Sequence, residues 1–204
     1  MEQILEQLFE SVPKARILRL LLRNPEERFR FDDIVKRSQT RPEQARKELR
    51  KLLKISTVKE GLVQDAPPAG AGKQRRPRKI RVYFANPAFP CFAELRDLIA
   101  RSSVAPRHKI FRRIKGLGKI KLAVISGLFI QSDSSRTDLL IVGDHIHKRK
   151  MDRFLADTES ELGKQIRHTV MDTEEFLYRM DMYDRFLRDI LEYPHEKLIN
   201  KFNF

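Results

Sequence analysis

The chain has 204 residues, with 42 lysines and arginines against 28 aspartates and glutamates, for a formal net charge of +14. That imbalance exceeds what solubility requires and points to a polyanionic partner, nucleic acid first and a membrane surface second. No stretch approaches the roughly 18 uninterrupted apolar residues of a spanning helix, the N-terminus lacks a signal-peptide pattern, and the single cysteine fits a reducing compartment, so the expectation is a cytoplasmic protein without disulfides.

Apolar residues at helical spacing (Ile4, Leu5, Leu8, Phe9) predict a first helix. Ser11 and Pro13 then signal the start of a second, which carries Ile17, Leu18, Leu20, Leu21 and Leu22 and stops at Asn24-Pro25. Phe29 to Phe31 is a short extended stretch, and Asp32 opens a helix ending near Ser38. Thr40-Arg-Pro-Glu43 is a strong helix start, with Thr40 as cap, Pro42 at an early position and Glu43 as the reciprocal capping-box partner; this helix runs to about Lys54. Thr57 to Val63 and Lys79 to Phe84 read as two strands, joined by a Pro, Gly and Ala-rich loop with a basic tip.

Asn86-Pro87, Pro90 and the Ser102 to Pro106 break mark a border. The division expected is therefore 1–86, a connecting helix and boundary over 87–106, and 107–204. Cys91, beside the helix pattern that starts at Phe92, reads as a small buried hydrophobe. The second half offers a basic helix from about Arg107 to Lys115, strands over Ile120 to Ile125 and Asp138 to Val142, and a helix from Lys148 to Leu162. A strand over Gln165 to Met171 follows, then a helical stripe capped by Asp172 or Thr173 and continuing to Leu191.

On the capped helix, 100° per residue puts Ala45, Leu49, Leu52 and Leu53 on the packed side and Gln44, Lys47, Arg50 and Lys51 on the outer one. Long cations with an amide neutralise phosphates and reach major-groove base edges; a solvated helix face is the plainer reading. The loop tip adds Lys73, Arg75, Arg76, Arg78 and Lys79 without an acid, a set whose mutual repulsion a polyanion relieves. In this order of parts, residues 1–86 resemble the winged helix-turn-helix domain of bacterial transcription regulators, which implies duplex DNA as partner and often a dimer.

The stretch from Ser126 to Asp144 is similar to the active-site hairpin of the minimal nucleotidyltransferase fold, with Ser126-Gly127 in the turn and Asp138 at the second carboxylate position. Leu128 replaces the expected Ser, Arg136 stands at the first carboxylate position, and the later strand offers Arg167, His168 and Thr169 where a third acid belongs. Arg136 and Asp138 lie two residues apart, on one strand face, where an ion pair between them neutralises the carboxylate and repels a metal ion.

Nearly the full chain thus resembles prokaryotic regulators in which a winged helix precedes a degenerate nucleotidyltransferase-like domain, an α+β architecture. The implied function is transcription regulation by DNA binding, with the second half a pseudoenzyme that senses a ligand, binds a partner or dimerises. Ser126, Gly127, Arg136 and Asp138 form its possible nucleotide or ligand site, and no catalytic or metal-ligating residue and no cofactor is expected. The alternative is an active nucleotidyltransferase that modifies a protein, RNA or small molecule and uses Mg2+ or Mn2+ through Asp138. An RNA-binding or assembly protein is a third class that the net charge permits.

His145 and His147 beside Asp144 lack a third ligand at matching spacing and are not assigned a metal. The acid-free run Arg107, Lys109, Arg112, Arg113, Lys115, Lys119 and Lys121 either extends the DNA footprint, binds a phosphate-bearing ligand or is a solvated face.

Overall fold

A computed structural model describes residues 2–65, 78–102, 107–130, 132 and 135–202. The chain is a mixed α+β protein that divides into two units, Met1–Ser103 with Ser160–Lys164, and Val104–Glu159 with Gln165–Phe204. Among the described residues, no helix is long and apolar enough to cross a membrane.

The first unit runs α1 (Glu2–Leu8), α2 (Val12–Leu22), β1 (Phe29–Arg30), α3 (Phe31–Ser38), α4 (Pro42–Lys54), β2 (Val58–Asp65), β3 (Arg78–Ala85) and α5 (Phe92–Ser102). Ser11 caps α2 as its sequence predicts, its Oγ accepting the Lys14 N–H at 3.2 Å. β3 is the middle strand of an antiparallel sheet ordered β1-β3-β2, with Phe29 opposite Tyr83 and Val58 opposite Ala85. Leu5, Ile17, Leu21, Ile34, Leu49 and Leu52 join in one core, so each helix of the series contributes its apolar stripe.

Three expectations are corrected in this unit. The helix expected in a connecting stretch packs inside the unit, since Ile99 of α5 is fully buried in its core. Cys91 is exposed rather than buried, because it stands in the turn before α5, where its carbonyl accepts the Leu95 N–H at 3.0 Å. The capping box at Thr40 does not form: Gln39 turns into the left-handed region (φ 49, ψ 46), Thr40 Oγ1 lies 2.8 Å from Ser38 Oγ, and Arg41 becomes the N-cap without a side-chain bond. Pro42 alone then marks the start, at a position where its missing N–H costs nothing.

The segment Ser160–Lys164 belongs to this unit through polar contacts with the end of α2. Arg23 Nη1 donates to the Leu162 carbonyl at 2.9 Å and Asn24 Nδ2 to that of Gly163 at 2.7 Å.

The second unit contains α6 (Arg107–Lys115), β4 (Lys119–Ser126), a single 3-10 turn (Gly127–Phe129), β5 (Leu139–Asp144) and most of α7 (Lys148–Leu162). It continues with β6 (His168–Met171), α8 (Thr173–Asp181), α9 (Arg185–Glu192) and β7 (His195–Asn200). The sheet order is β6-β5-β4-β7, with β5 and β6 parallel and the other pairs antiparallel. Leu122, Val124, Leu140 and Val142 on one face pack with Phe176, Leu187 and Ile190, while Ile125, Leu139 and Ile141 on the other face are also buried. Burial on both faces explains why these two strands read as continuous apolar runs rather than alternating ones.

The stripe predicted as one helix to Leu191 is two. Tyr183 adopts φ +51, and Asp184 restarts the chain as the cap of α9 by accepting the Leu187 N–H at 3.0 Å. Strand β7 is not anticipated from the sequence.

Candidate nucleic-acid interface and the Gly127 turn

Helix α4 buries Ala45, Leu49 and Leu52 and leaves Gln44, Lys47, Arg50 and Lys51 exposed, so the outer set sits as its helical spacing predicts. Two members differ in their freedom. Lys51 Nζ turns back to Glu48 at 3.0 Å, and Glu48 is itself buried, with Lys14 Nζ 3.8 Å from its other oxygen. Arg50 instead lines a groove of about 370 Å³ together with Arg46 of the same helix, Glu60 of β2, and Arg81 and Tyr83 of β3.

Arg46 is a residue that the sequence reading misses; its guanidinium stacks over the Phe31 ring at 5.2 Å, which fixes its direction. Its signal was its helical angle, which sets it beside Arg50. Within the groove, three arginines face one acid, Glu60, whose carboxylate lies 3.5 Å from Arg81. Lys79 is exposed on β3, two residues from Arg81 and therefore on the same strand face. Arg78 is the first residue of β3, paired with Asp65. Lys73, Arg75 and Arg76 lie outside the described residues.

The second site turns on Gly127 and Asp138. Gly127 has φ +50, and a Cβ there would collide with Asp138 Oδ1, so both backbone conformation and space require glycine. The turn it forms points the Leu128 N–H at Asp138 Oδ1, 2.9 Å away. Asp138 Oδ2 accepts the Arg167 N–H at 2.9 Å and its Nε–H at 3.1 Å, while Arg167 Nη2 reaches Oδ1 at 3.0 Å. The carboxylate, 2% exposed, therefore receives two backbone and two guanidinium hydrogen bonds. Burial alone would favour the neutral acid, yet the Arg167 side chain and the two N–H groups outweigh it and hold the carboxyl below the ordinary aspartate range.

The expected pairing of Asp138 with Arg136 is thus wrong. Arg136 is exposed and its Nε lies 3.0 Å from Asp189 Oδ2 on α9, whereas the guanidinium on Asp138 comes from Arg167, just before β6. Parallel pairing of β5 with β6 brings it there: the Asp138 and Leu139 N–H groups both donate to the Arg167 carbonyl, at 2.7 and 3.1 Å. Ser126 Oγ is buried and donates to the Thr137 carbonyl, and Ser135 Oγ donates to Ser126 Oγ at 2.9 Å. Both serines are engaged in closing the turn.

This donor set does not fit a divalent cation. A metal ligand offers lone pairs, and here the lone pairs of Asp138 are directed at N–H groups with a guanidinium alongside. No group of three metal-ligating side chains occurs among the described residues, and His145 and His147 are both exposed.

No family model, no curated protein and no solved structure matches the chain.

Proposed function

We propose that the chain is a DNA-binding regulator in which the first unit docks on duplex DNA and the second is a non-catalytic module. The observation that carries this reading is the shared groove: Arg46 and Arg50 of α4 meet Arg81 of β3, with Glu60 as the single acid among the described lining residues. The order of α2, β1, α3, α4, β2 and β3, with a three-stranded antiparallel sheet, is that expected of a winged helix. On this reading α4 enters the major groove. Gln44 and Lys47 face base edges, Arg46 and Arg50 face phosphates, and the β2–β3 connection with Lys73, Arg75 and Arg76 reaches the flanking backbone.

For the second unit, the argument is the chemistry of Asp138. A carboxylate held by four N–H donors serves the turn and the β5–β6 junction, which supports a structural rather than a phosphoryl-transfer role.

Titration of a labelled duplex at several salt concentrations tests the proposal. Binding is expected to weaken linearly on a log–log plot, and Arg75→Ala with Arg76→Ala is expected to weaken it for every sequence. No duplex binding at low salt overturns the reading, and structured RNA outcompeting duplex DNA assigns the charge to RNA instead.

A further inference from the structure

At the end of the second unit's sheet opposite the Gly127 turn, the chain opens a cleft of about 500 Å³. Its walls come from three places: Lys115 and Gly118 at and after the end of α6, Lys119 and Lys121 at the start of β4, and Lys201 just past β7. Among the described residues Asp144 is the only acid in the lining, and Ile120 and Ile199, both buried, supply its apolar part. Gly118 makes the close approach possible, since a Cβ there would come within 2.8 Å of the His145 carbonyl oxygen.

The charges do not cancel. Asp144 Oδ2 lies 3.6 Å from Lys121 Nζ, and its Oδ1 accepts the Thr173 N–H at 3.2 Å, so this one carboxylate is committed. Lys115 rests its ammonium over the Phe111 ring at 4.3 Å. Lys119 and Lys201 have no anionic partner among the described residues. Four lysines lining one partly apolar cleft with a single acid repel one another unless an anion is bound, and the volume is within the range of small-molecule sites.

We infer that this cleft binds a small molecule carrying two or more phosphoryl groups, with Lys119, Lys121 and Lys201 as its ligands. Phosphoryl oxygens supply the acceptors that ammonium groups need, and two such groups match lysines drawn from the ends of two different strands. The assignment does not rest on duplex binding by the first unit, and its test does not involve DNA in the primary measurement.

The experiment is calorimetric titration of the 204-residue chain with inorganic tripolyphosphate at moderate salt, repeated with sulfate. The Lys119→Ala/Lys201→Ala double variant is expected to bind at least about tenfold more weakly. The control Arg153→Ala/Arg185→Ala, which removes equal charge from exposed positions of the same unit, is expected to bind as the parent does. All three chains should give the same circular-dichroism melt, since every altered side chain is exposed. Equal losses in the two double variants, or sulfate binding as tightly as tripolyphosphate, would overturn the inference by showing general charge attraction. If Lys119→Ala/Lys201→Ala keeps tripolyphosphate affinity but loses duplex affinity, the cleft belongs to a nucleic-acid surface, and the inference also fails.

Discussion

The two units use arginine in opposite ways. In the Gly127 turn, Arg167 is committed to a buried carboxylate by two side-chain hydrogen bonds, whereas on α4 Arg46 and Arg50 stand over a groove whose one acid is already taken by Arg81. A cation with a buried acidic partner supports the fold, and a cation set that outnumbers its acids is left to find its counter-charge outside the molecule. The contrast separates residues that look alike in the sequence, where Arg167 and Arg50 are both arginines beside apolar runs.

The comparison breaks most sharply at Asp138. Asp138→Ala strands the Leu128 and Arg167 donors, and denaturant unfolding should show a loss of about 2–4 kcal/mol, below the full figure for a buried pair because the Arg167 side chain is 57% exposed. Its pH dependence has a definite sign. The folded-state carboxyl is held below the unfolded value of about 3.9, so its stabilisation is complete above that pH and lost as pH falls through the folded-state value. Asp138→Asn should remove that part of the acid-side decline. An unchanged acid limb would mean that the carboxylate is not coupled to folding.

Gly127→Ala comes next. It needs both a φ of +50 from an L-residue and room where Asp138 Oδ1 lies, and about 1–3 kcal/mol of lost stability is expected in the same unfolding measurement. In the first unit, Arg46→Ala/Arg50→Ala should cost no more than about 1 kcal/mol, from the lost stacking on Phe31, and weaken duplex binding by about tenfold at moderate salt, with a salt slope shallower by roughly two. A loss of stability as large as that of Asp138→Ala would place these arginines with Arg167 as structural.

The smallest effect sharpens the contrast inside one unit. Arg136→Ala removes a surface pair with Asp189 and should cost less than about 1 kcal/mol, far less than the loss at Asp138.

Local chemistry was legible in the sequence where one residue sets one local bond. Ser11 and Asp172 each cap the following helix, and the alternation in Lys79 to Phe84 is that of a strand. The Asp138 partner was not legible, because it lies 29 residues away and depends on the β5–β6 register, whereas Arg136 was close in sequence and on the expected face. Thr40 misled for a related reason. Its hydroxyl had a competing partner in Ser38, made available only by the left-handed turn at Gln39. Strand β7 was missed because His195-Glu-Lys197 is polar and only Ile199 is buried, a pattern that carries a weak signal for an outer strand.

The polypeptide leaves the first unit after residue 103, returns for Ser160–Lys164, and departs again. A truncation ending at 103 therefore takes two carbonyl acceptors away from Arg23 and Asn24 and does not yield an intact amino-terminal fragment. Neither half is a cassette that a single cut can release, and any fragment made for crystallisation or for partner exchange must carry the returning pentapeptide along.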